Sequence, residues 1–109
     1  MHLEIRSEGD TVVVTPLETR IDAHVANSFR DELARQIDQG NRKLVLDLAR
    51  VDFIDSSGLS ALVSTLKRIG DSGELKVCSL NRSVRSMFEL TRLNRVIPIT
   101  DPLPVSAAR

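Results

Sequence analysis

The sequence predicts an α/β fold in which a mixed β-sheet packs against α-helices. Segments whose apolar residues alternate, as in β-strands, are interleaved with segments whose apolar residues recur every three or four positions, as in helices. Glycine-containing turns separate several of these segments. A chain of 109 residues, 41% of them hydrophobic, can bury one core without disulfides or metals. We therefore expect one domain over residues 1–109, with the element order ββαβαβαβ and a core of about residues 2–100.

The chain begins with a predicted β-hairpin. Residues 2–6 and 11–15 are strand-like, and four polar, turn-forming residues separate them. Gly9 lies in this turn and can adopt the positive φ that a tight reversal requires.

A first helix is predicted over residues 22–39, because its apolar residues share one helical face. Asp22 is the expected N-cap, and Gly40 is the expected C-terminal stop. The shared face consists of Val25, Ala26, Phe29, Leu33 and Ile37.

A central strand is predicted over residues 43–48, and residues 51–54 extend the β character. Successive side chains of a strand point to opposite faces, so alternate residues of this strand share a face. Leu44, Leu46 and Leu48 lie on one face, and Val45 and Asp47 lie on the other.

The clearest helix in the sequence follows residues 55–58 and ends at Gly70. Its apolar residues recur at helical spacing and form one stripe. The stripe consists of Leu59, Leu62, Val63, Leu66 and Ile69.

The last third of the chain predicts a strand over residues 75–80, a third helix and a short final strand over residues 96–99. Asn81 is the expected cap of the third helix. Two closely spaced prolines predict that the tail, residues 101–109, is irregular or only partly helical. The apolar residues assigned to the third helix are Val84, Met87, Phe88 and Leu90.

Composition excludes several classes of partner. Lys and Arg number 15, as do Asp and Glu, so no net basic field favours nucleic acid or an anionic membrane surface. The apolar runs are far shorter than the ~20 residues needed to cross a bilayer, so no membrane insertion is expected. Cys78 is the only cysteine, which excludes an intrachain disulfide and suits the reducing cytoplasm.

No enzyme signature is found in the sequence, and we expect neither a cofactor nor a metal. Two histidines and one cysteine are too few for a typical zinc site. The glycine-rich phosphate loop, the dinucleotide fingerprint and the nucleophile elbow are all missing. A hydrolase triad would have to combine His24 with Ser56 or Ser57, and nothing in the sequence specifies that geometry.

Four arginines near the third helix, at positions 82, 85, 92 and 95, admit two interpretations. They could bind phosphates or an acidic protein surface, with Arg85 and Arg92 aligned on one helical face. Alternatively, they form a solvated helix face whose charge is balanced by Glu89.

Residues 55–59 form a strand-to-helix junction that also admits two interpretations. In the structural one, Asp55, Ser56 or Ser57 caps the helix, and Gly58 permits close packing of its first turn. In the functional one, a serine at this junction is accessible to a kinase, and its phosphate would lie at the positive end of the helix dipole. A docked partner would then face about 1.5 to 2 added negative charges.

Residues 44–48 and 51–59 together resemble the core signature of the STAS domain, and specifically that of the bacterial anti-sigma factor antagonists. Ile21-Asp22 and residues 75–80 and 84–93 add to a resemblance that covers roughly residues 2–100. It implies that the chain is a regulatory binding protein in the cytoplasm, and not an enzyme.

The resemblance also implies a partner switch. In the family, the serine directly after the motif's aspartate is phosphorylated by a serine kinase that is itself the anti-sigma factor; that serine is Ser56 here. The unmodified antagonist binds the anti-sigma factor, the phosphorylated form releases it, and a PP2C-type phosphatase reverses the mark. The partner-binding residues implied are Asp22, Asp55, Ser56, Ser57, Gly58 and Leu59.

Two alternatives remain from the sequence. A STAS domain can also serve as a scaffold subunit of a membrane lipid or anion transport complex, which does not require phosphorylation. The second alternative is a small enzyme or a nucleotide-binding protein. The absence of the phosphate loop and of the dinucleotide fingerprint disfavours this alternative.

Overall fold

The computed structural model describes residues 1–100, and the predicted irregular tail lies outside the described residues. The strands are β1 (Leu3–Glu8), β2 (Thr11–Pro16), β3 (Arg20–Ile21), β4 (Lys43–Asp47), β5 (Phe53–Ile54) and β6 (Glu74–Cys78). The helices are α1 (Ala26–Asp38), α2 (Ser56–Ile69) and α3 (Arg82–Leu90), with 3-10 turns at Gly70–Ser72 and Leu93–Arg95.

The predicted α/β fold with a mixed sheet is confirmed. Four strands form one sheet in the order β1-β2-β4-β6. The hairpin pair β1 and β2 is antiparallel, whereas β4 is parallel to both β2 and β6. Gly9 adopts the positive φ, 64°, that was expected in the hairpin turn. Helices connect the parallel strands, since such neighbours require a long crossover.

The two faces of the sheet differ as the alternation in β4 predicts. Leu44, Leu46 and Leu48 belong to the main core together with apolar residues of all three helices. Val45 lies on the opposite face, where it contacts Val13 and Cys78 in a small second cluster. The helices therefore pack on one face of the sheet.

Helix α1 begins later than predicted. Asp22 is not its N-cap, because the Asp22 carbonyl accepts hydrogen bonds from the backbone N–H groups of Val25 and Ala26 and forms a turn ahead of the helix. The Asp22 side chain accepts from the His24 N–H within this turn, at 3.0 Å. The cap position is occupied by Val25, which makes no side-chain cap. The helix ends as expected before Gly40, whose φ is 99°.

The residues predicted to extend the central strand instead form a second sheet. Phe53–Ile54 pairs in parallel with Arg20–Ile21, two residues against two. The Thr19 carbonyl accepts the N–H of Asp52 at 2.7 Å and fixes this pairing. The small sheet places the start of α2 beside the segment that leads into α1.

The predictions at the carboxyl end are partly wrong. The strand expected at residues 96–99 is reduced to one bridge between Val77 and Ile99. Pro98 lacks an N–H and offers only its carbonyl to the Val77 N–H, which limits a ladder here. The sequence places Leu90 on the apolar face of α3, but Leu90 is 80% exposed, whereas Val84 and Phe88 are buried.

An ion pair joins α1 to α2. Arg68 donates from Nη2 to Asp38 Oδ2 at 2.7 Å and from Nε to Oδ1 at 3.1 Å. The hydrogen bond from Arg68 holds the pKa of the Asp38 carboxyl below its usual value. A lowered folded-state pKa means that this stabilisation is present above the unfolded pKa and is lost as pH falls through the folded one.

We expect Asp38→Asn to be less stable than the wild type at pH 7, and the difference to narrow as pH falls below about 4. Both side chains are about half exposed, so the effect is small. Urea unfolding at pH 7 and pH 3 measures it, with Asp71→Asn, an exposed aspartate whose substitution leaves this pair intact, as the control. A stability difference between Asp38→Asn and the wild type that is larger at pH 3 than at pH 7 would contradict a stabilising ion pair between Asp38 and Arg68.

Candidate functional site

Two parallel strands end side by side at the start of α2. Asp22 follows β3 and Asp55 follows β5, and the Asp55 N–H donates to the Ile21 carbonyl at 3.2 Å. The small sheet therefore brings Asp22 close to residues 55–58, although these are more than 30 residues apart in the sequence. We call Asp22 together with residues 55–58 the corner.

Asp55 is the residue that caps α2. Its Oδ1 accepts from the backbone N–H of Ser57 at 2.9 Å and of Gly58 at 3.1 Å. These N–H groups have no partner within the helix, so the carboxylate satisfies them and also complements the helix dipole. Of the three caps that the sequence left open, the structure selects Asp55.

Ser56 is the first residue of α2, and it is exposed. Because Asp55 supplies the cap, the Ser56 hydroxyl is not used for capping. It borders a groove between α2 and the end of α3 that also contains Leu59, Val63 and Leu93. Ser57 is half-buried and lines a different groove, between α1 and α2. The two serines therefore face different surroundings.

Gly58 lets α2 approach the small sheet. A Cβ on this residue would lie 2.6 Å from Ile54 Cγ1 and 2.7 Å from the Ile21 carbonyl oxygen. Real Cβ atoms essentially never come this close, so only glycine fits without a shift. The expectation that Gly58 permits close packing of the first turn is confirmed.

The remaining predicted site residues differ in accessibility. The Asp22 side chain is 24% exposed, and its Oδ2 lies 3.7 Å from Arg20 Nε. Leu59 is only 7% exposed and belongs to the main core, so it supports the corner from beneath. Among the described residues, no hydrogen bond joins His24 to Ser56 or Ser57, as a hydrolase triad would require.

The arginines of the C-terminal third do not share one helical face. α3 ends at Leu90, and Arg92 lies beyond it with a φ of 61°. The alignment of Arg85 with Arg92 is therefore wrong, because the backbone leaves the helix between them. Another arginine, Arg20, which belongs to no motif in the sequence, lies beside the corner.

Comparison with known proteins assigns the family. The STAS domain model matches residues 3–104. The chain belongs to the STAS domain family. BtrV of Bordetella bronchiseptica, named provisionally as an anti-sigma factor antagonist, is 33% identical over 100 residues, covering 91% of this chain and 86% of BtrV. The anti-sigma F factor antagonist of Paenibacillus polymyxa is 30% identical over 104 residues, covering 93% and 89% of the two chains.

Solved structures share this STAS fold. A Thermotoga maritima protein, also named provisionally as an anti-sigma factor antagonist, matches with a TM-score of 0.87 at 27% identity, over 97% of this chain and 92% of that one. The anti-sigma factor antagonist SpoIIAA matches in its unphosphorylated form with a TM-score of 0.72, at 21% identity over 98% and 93% of the chains. The phosphorylated form of SpoIIAA from Bacillus also matches with a TM-score of 0.72, at 19% identity over 99% of this chain and 100% of that one.

Within residues 1–100 of this STAS domain, no helix combines the length and apolar character needed to cross a membrane. The same residues contain no group of three or more His, Cys, Asp or Glu side chains placed to hold a metal ion.

Proposed function

We propose that this STAS protein is a cytoplasmic, single-domain anti-sigma factor antagonist that works as a phosphorylation-controlled partner switch and has no catalytic activity of its own. The unphosphorylated form binds an anti-sigma factor that is also a serine kinase, and so frees the kinase's target. The kinase transfers the γ-phosphoryl group of ATP to the Ser56 hydroxyl oxygen, which loses its proton, and ADP leaves. A PP2C-type phosphatase hydrolyses the phosphoserine.

The observation that carries this proposal is the exposure of Ser56 at the first position of α2. A kinase must reach the hydroxyl oxygen, and a partner must lose contact when a phosphate is added. An exposed serine at a helix start meets both conditions. The names of the relatives from Bordetella bronchiseptica and Paenibacillus polymyxa support the same role.

The size of the effect is sufficient for a switch. A coupling of about 1 to 3 kcal/mol changes affinity about 5- to 150-fold. Leaving one charge unpaired in a docked interface can cost about 2 to 5 kcal/mol. One phosphate on Ser56 can therefore decide whether the partner stays bound. The fold occurs in both the unphosphorylated and the phosphorylated SpoIIAA structures, which supports a change of surface without a change of architecture.

We further propose that the partner contacts the corner directly. Asp22, Ser56 and Ser57 contribute accessible side-chain atoms, while Asp55 and Gly58 fix the position of the first turn. Leu59 contributes through packing, because it is buried beneath that turn.

Phosphoryl mapping tests the proposal. The protein is incubated with ATP and candidate serine kinases of the anti-sigma factor type from the same organism, and the labelled peptide is sequenced. We expect one phosphoryl group on Ser56, and we expect Ser56→Ala to abolish labelling without unfolding the protein. Ser57→Ala is the matched control and should still be labelled. Labelling of Ser57 or of a distant residue would overturn the assignment.

The alternative function is a scaffold subunit of a membrane lipid or anion transport complex. The fold also occurs within the mouse Slc26a9 anion transporter, which matches with a TM-score of 0.74 at 15% identity, over 91% of this chain and 17% of that one. At this identity the likeness concerns the fold alone. A scaffold would bind transporter subunits equally well with Ser56 phosphorylated or not, whereas the switch requires the two forms to differ.

A further inference from the structure

An exposed arginine is stacked on an exposed aromatic ring next to the corner. The guanidinium carbon of Arg20 lies 4.2 Å from the centroid of the Phe53 ring. A cation this close to a ring face is attracted by the ring's quadrupole. The Arg20 side chain is nevertheless 60% exposed and Phe53 is 37% exposed. The pair is therefore held in place and remains accessible.

The register of the small sheet explains why this pair faces outward. Arg20 pairs with Phe53, and Ile21 pairs with Ile54. Successive side chains of a strand point to opposite faces, and both isoleucines are fully buried in the core. The arginine and the phenylalanine are consequently left on the solvent side.

The donors of Arg20 are available to a further acceptor. Its only ion pair among the described residues is with Asp22, where Nε and Oδ2 are 3.7 Å apart, which is too long for a hydrogen bond. None of the hydrogen bonds formed within residues 1–100 uses the Arg20 side chain. A guanidinium carries five N–H donors in a rigid fork that matches the two oxygens of a carboxylate.

We propose that Arg20, stacked on Phe53, binds a carboxylate of the protein partner, and that an apolar side chain of the partner covers the ring. This inference rests on the proposed function and adds the chemistry that the anti-sigma factor kinase must present: an Asp or Glu next to an apolar group. Arginine is enriched among the residues that dominate binding energy, and both arginine and phenylalanine are enriched at the cores of protein interfaces. Prior stacking lowers the ordering cost of docking.

The same placement gives a physical reason for release. Ser56 is three residues after Phe53, so their Cα atoms are at most about 10 Å apart. A phosphate on Ser56 would repel a carboxylate bound at Arg20 and would compete with it for the guanidinium. At physiological salt the screening length is about 8 Å, so the repulsion is strong only where the phosphate comes within about 8 Å of the bound carboxylate.

Binding of the kinase that labels Ser56 tests the inference. We expect Arg20→Glu to weaken its affinity for the unphosphorylated protein by at least about 30-fold, as for a dominant interface residue. Arg20→Lys should give an intermediate loss, because lysine keeps the charge but lacks the fork. The matched control is Arg42→Glu, an exposed arginine near the opposite end of α2, which should change affinity by less than about twofold.

Charge reversal on the kinase is the decisive measurement. One Asp→Lys or Glu→Lys change among the kinase's surface carboxylates should restore binding to Arg20→Glu and weaken binding to the wild type.

If Arg20→Glu and Arg20→Lys both bind as the wild type does, the inference is wrong while the switch at Ser56 stands. If both variants bind weakly and no reversal restores binding, the carboxylate assignment is wrong. If no kinase labels Ser56 of the wild type, the proposed function fails first, and the inference falls with it.

Discussion

Ser56→Glu is expected to weaken binding to the anti-sigma factor kinase by about 5- to 150-fold, while the thermal midpoint changes little. The carboxylate places a permanent charge at the first position of α2, where the proposed partner docks. A glutamate carries less charge than a phosphate and has fewer acceptor oxygens, so the loss should not exceed that of the phosphorylated protein. Calorimetric titration with the kinase measures the affinity, and thermal unfolding measures the stability.

The stability of Ser56→Glu follows from the cap. Asp55 already occupies the N–H groups of Ser57 and Gly58, so the new carboxylate does not take part in capping. An added acid near a helix N-terminus contributes about 0.3 to 1 kcal/mol, and repulsion from the Asp55 carboxylate opposes it. The two effects offset each other, and the fold should remain unchanged.

Ser28→Glu is the matched control for this variant. Ser28 is also an exposed serine in the first turn of a helix, α1, and it does not line the groove beside Ser57. We expect its affinity for the kinase to equal that of the wild type. Equal affinity of Ser56→Glu, Ser28→Glu and the wild type would contradict release by charge. Equal weakening in both variants would show that a general change in charge, and not the corner, controls binding.

The sequence predicts the helix that carries the site well, because its determinants are local. The structure confirms that Leu59, Leu62 and Ile69 of the predicted stripe are buried and that α2 ends before a glycine, whereas Val63 and Leu66 are only partly buried. Ala61 and Thr65, which lie outside the predicted stripe, complete the buried face. Since Ser56 precedes this stripe, its exposure agrees with the pattern. The identity of the cap was not predictable, because Asp55, Ser56 and Ser57 are all residue types that cap helices.

The start of α1 shows why a capping residue type is not sufficient. Asp22 has a favourable side chain, but it is the Asp22 carbonyl that accepts the N–H groups of Val25 and Ala26 and inserts a turn before the helix. A side-chain cap and a preceding turn use the same residue type, so the sequence does not distinguish them.

The small sheet could not be predicted for a different reason. Its strands contain two residues each, which is too short for an alternation to be recognised. Their pairing joins residues more than 30 positions apart and depends on how α1 and α2 pack. The contact between Arg20 and Phe53 depends on this pairing, and so it became visible only in the structure.

Gly58→Ala is expected to lower the free energy of unfolding by about 1 to 3 kcal/mol. The new methyl group would lie 2.6 Å from Ile54 Cγ1, 2.7 Å from the Ile21 carbonyl oxygen and 3.0 Å from Ile21 Cγ2. Alanine favours a helix over glycine by about 1 kcal/mol, which would stabilise an unobstructed position. Here the steric cost exceeds that gain, because one of the obstructing atoms belongs to the backbone and cannot rotate away.

The Ile21 carbonyl is also fixed by its hydrogen bond from the Asp55 N–H, so moving it would disturb the joint between the small sheet and α2. Relief of the overlap requires the first turn of α2 to shift, and Ser56 shifts with it. We therefore expect Gly58→Ala to slow phosphorylation of Ser56 as well as to destabilise the fold. Urea unfolding and initial rates of labelling measure the two effects separately.

Gly70→Ala separates steric overlap from the general cost of replacing glycine. Gly70 has a φ of 63°, but the position of its Cβ is open, with nothing within 4 Å. Its φ of 63° and ψ of −158° lie in a region that is essentially restricted to glycine, so its replacement costs about 1 to 3 kcal/mol and leaves the corner untouched. We expect Gly70→Ala to be destabilised while its labelling rate, measured where it is fully folded, equals that of the wild type. If Gly58→Ala were as stable as the wild type and were labelled at the same rate, close packing beneath Ser56 would not be what positions the phosphorylated hydroxyl.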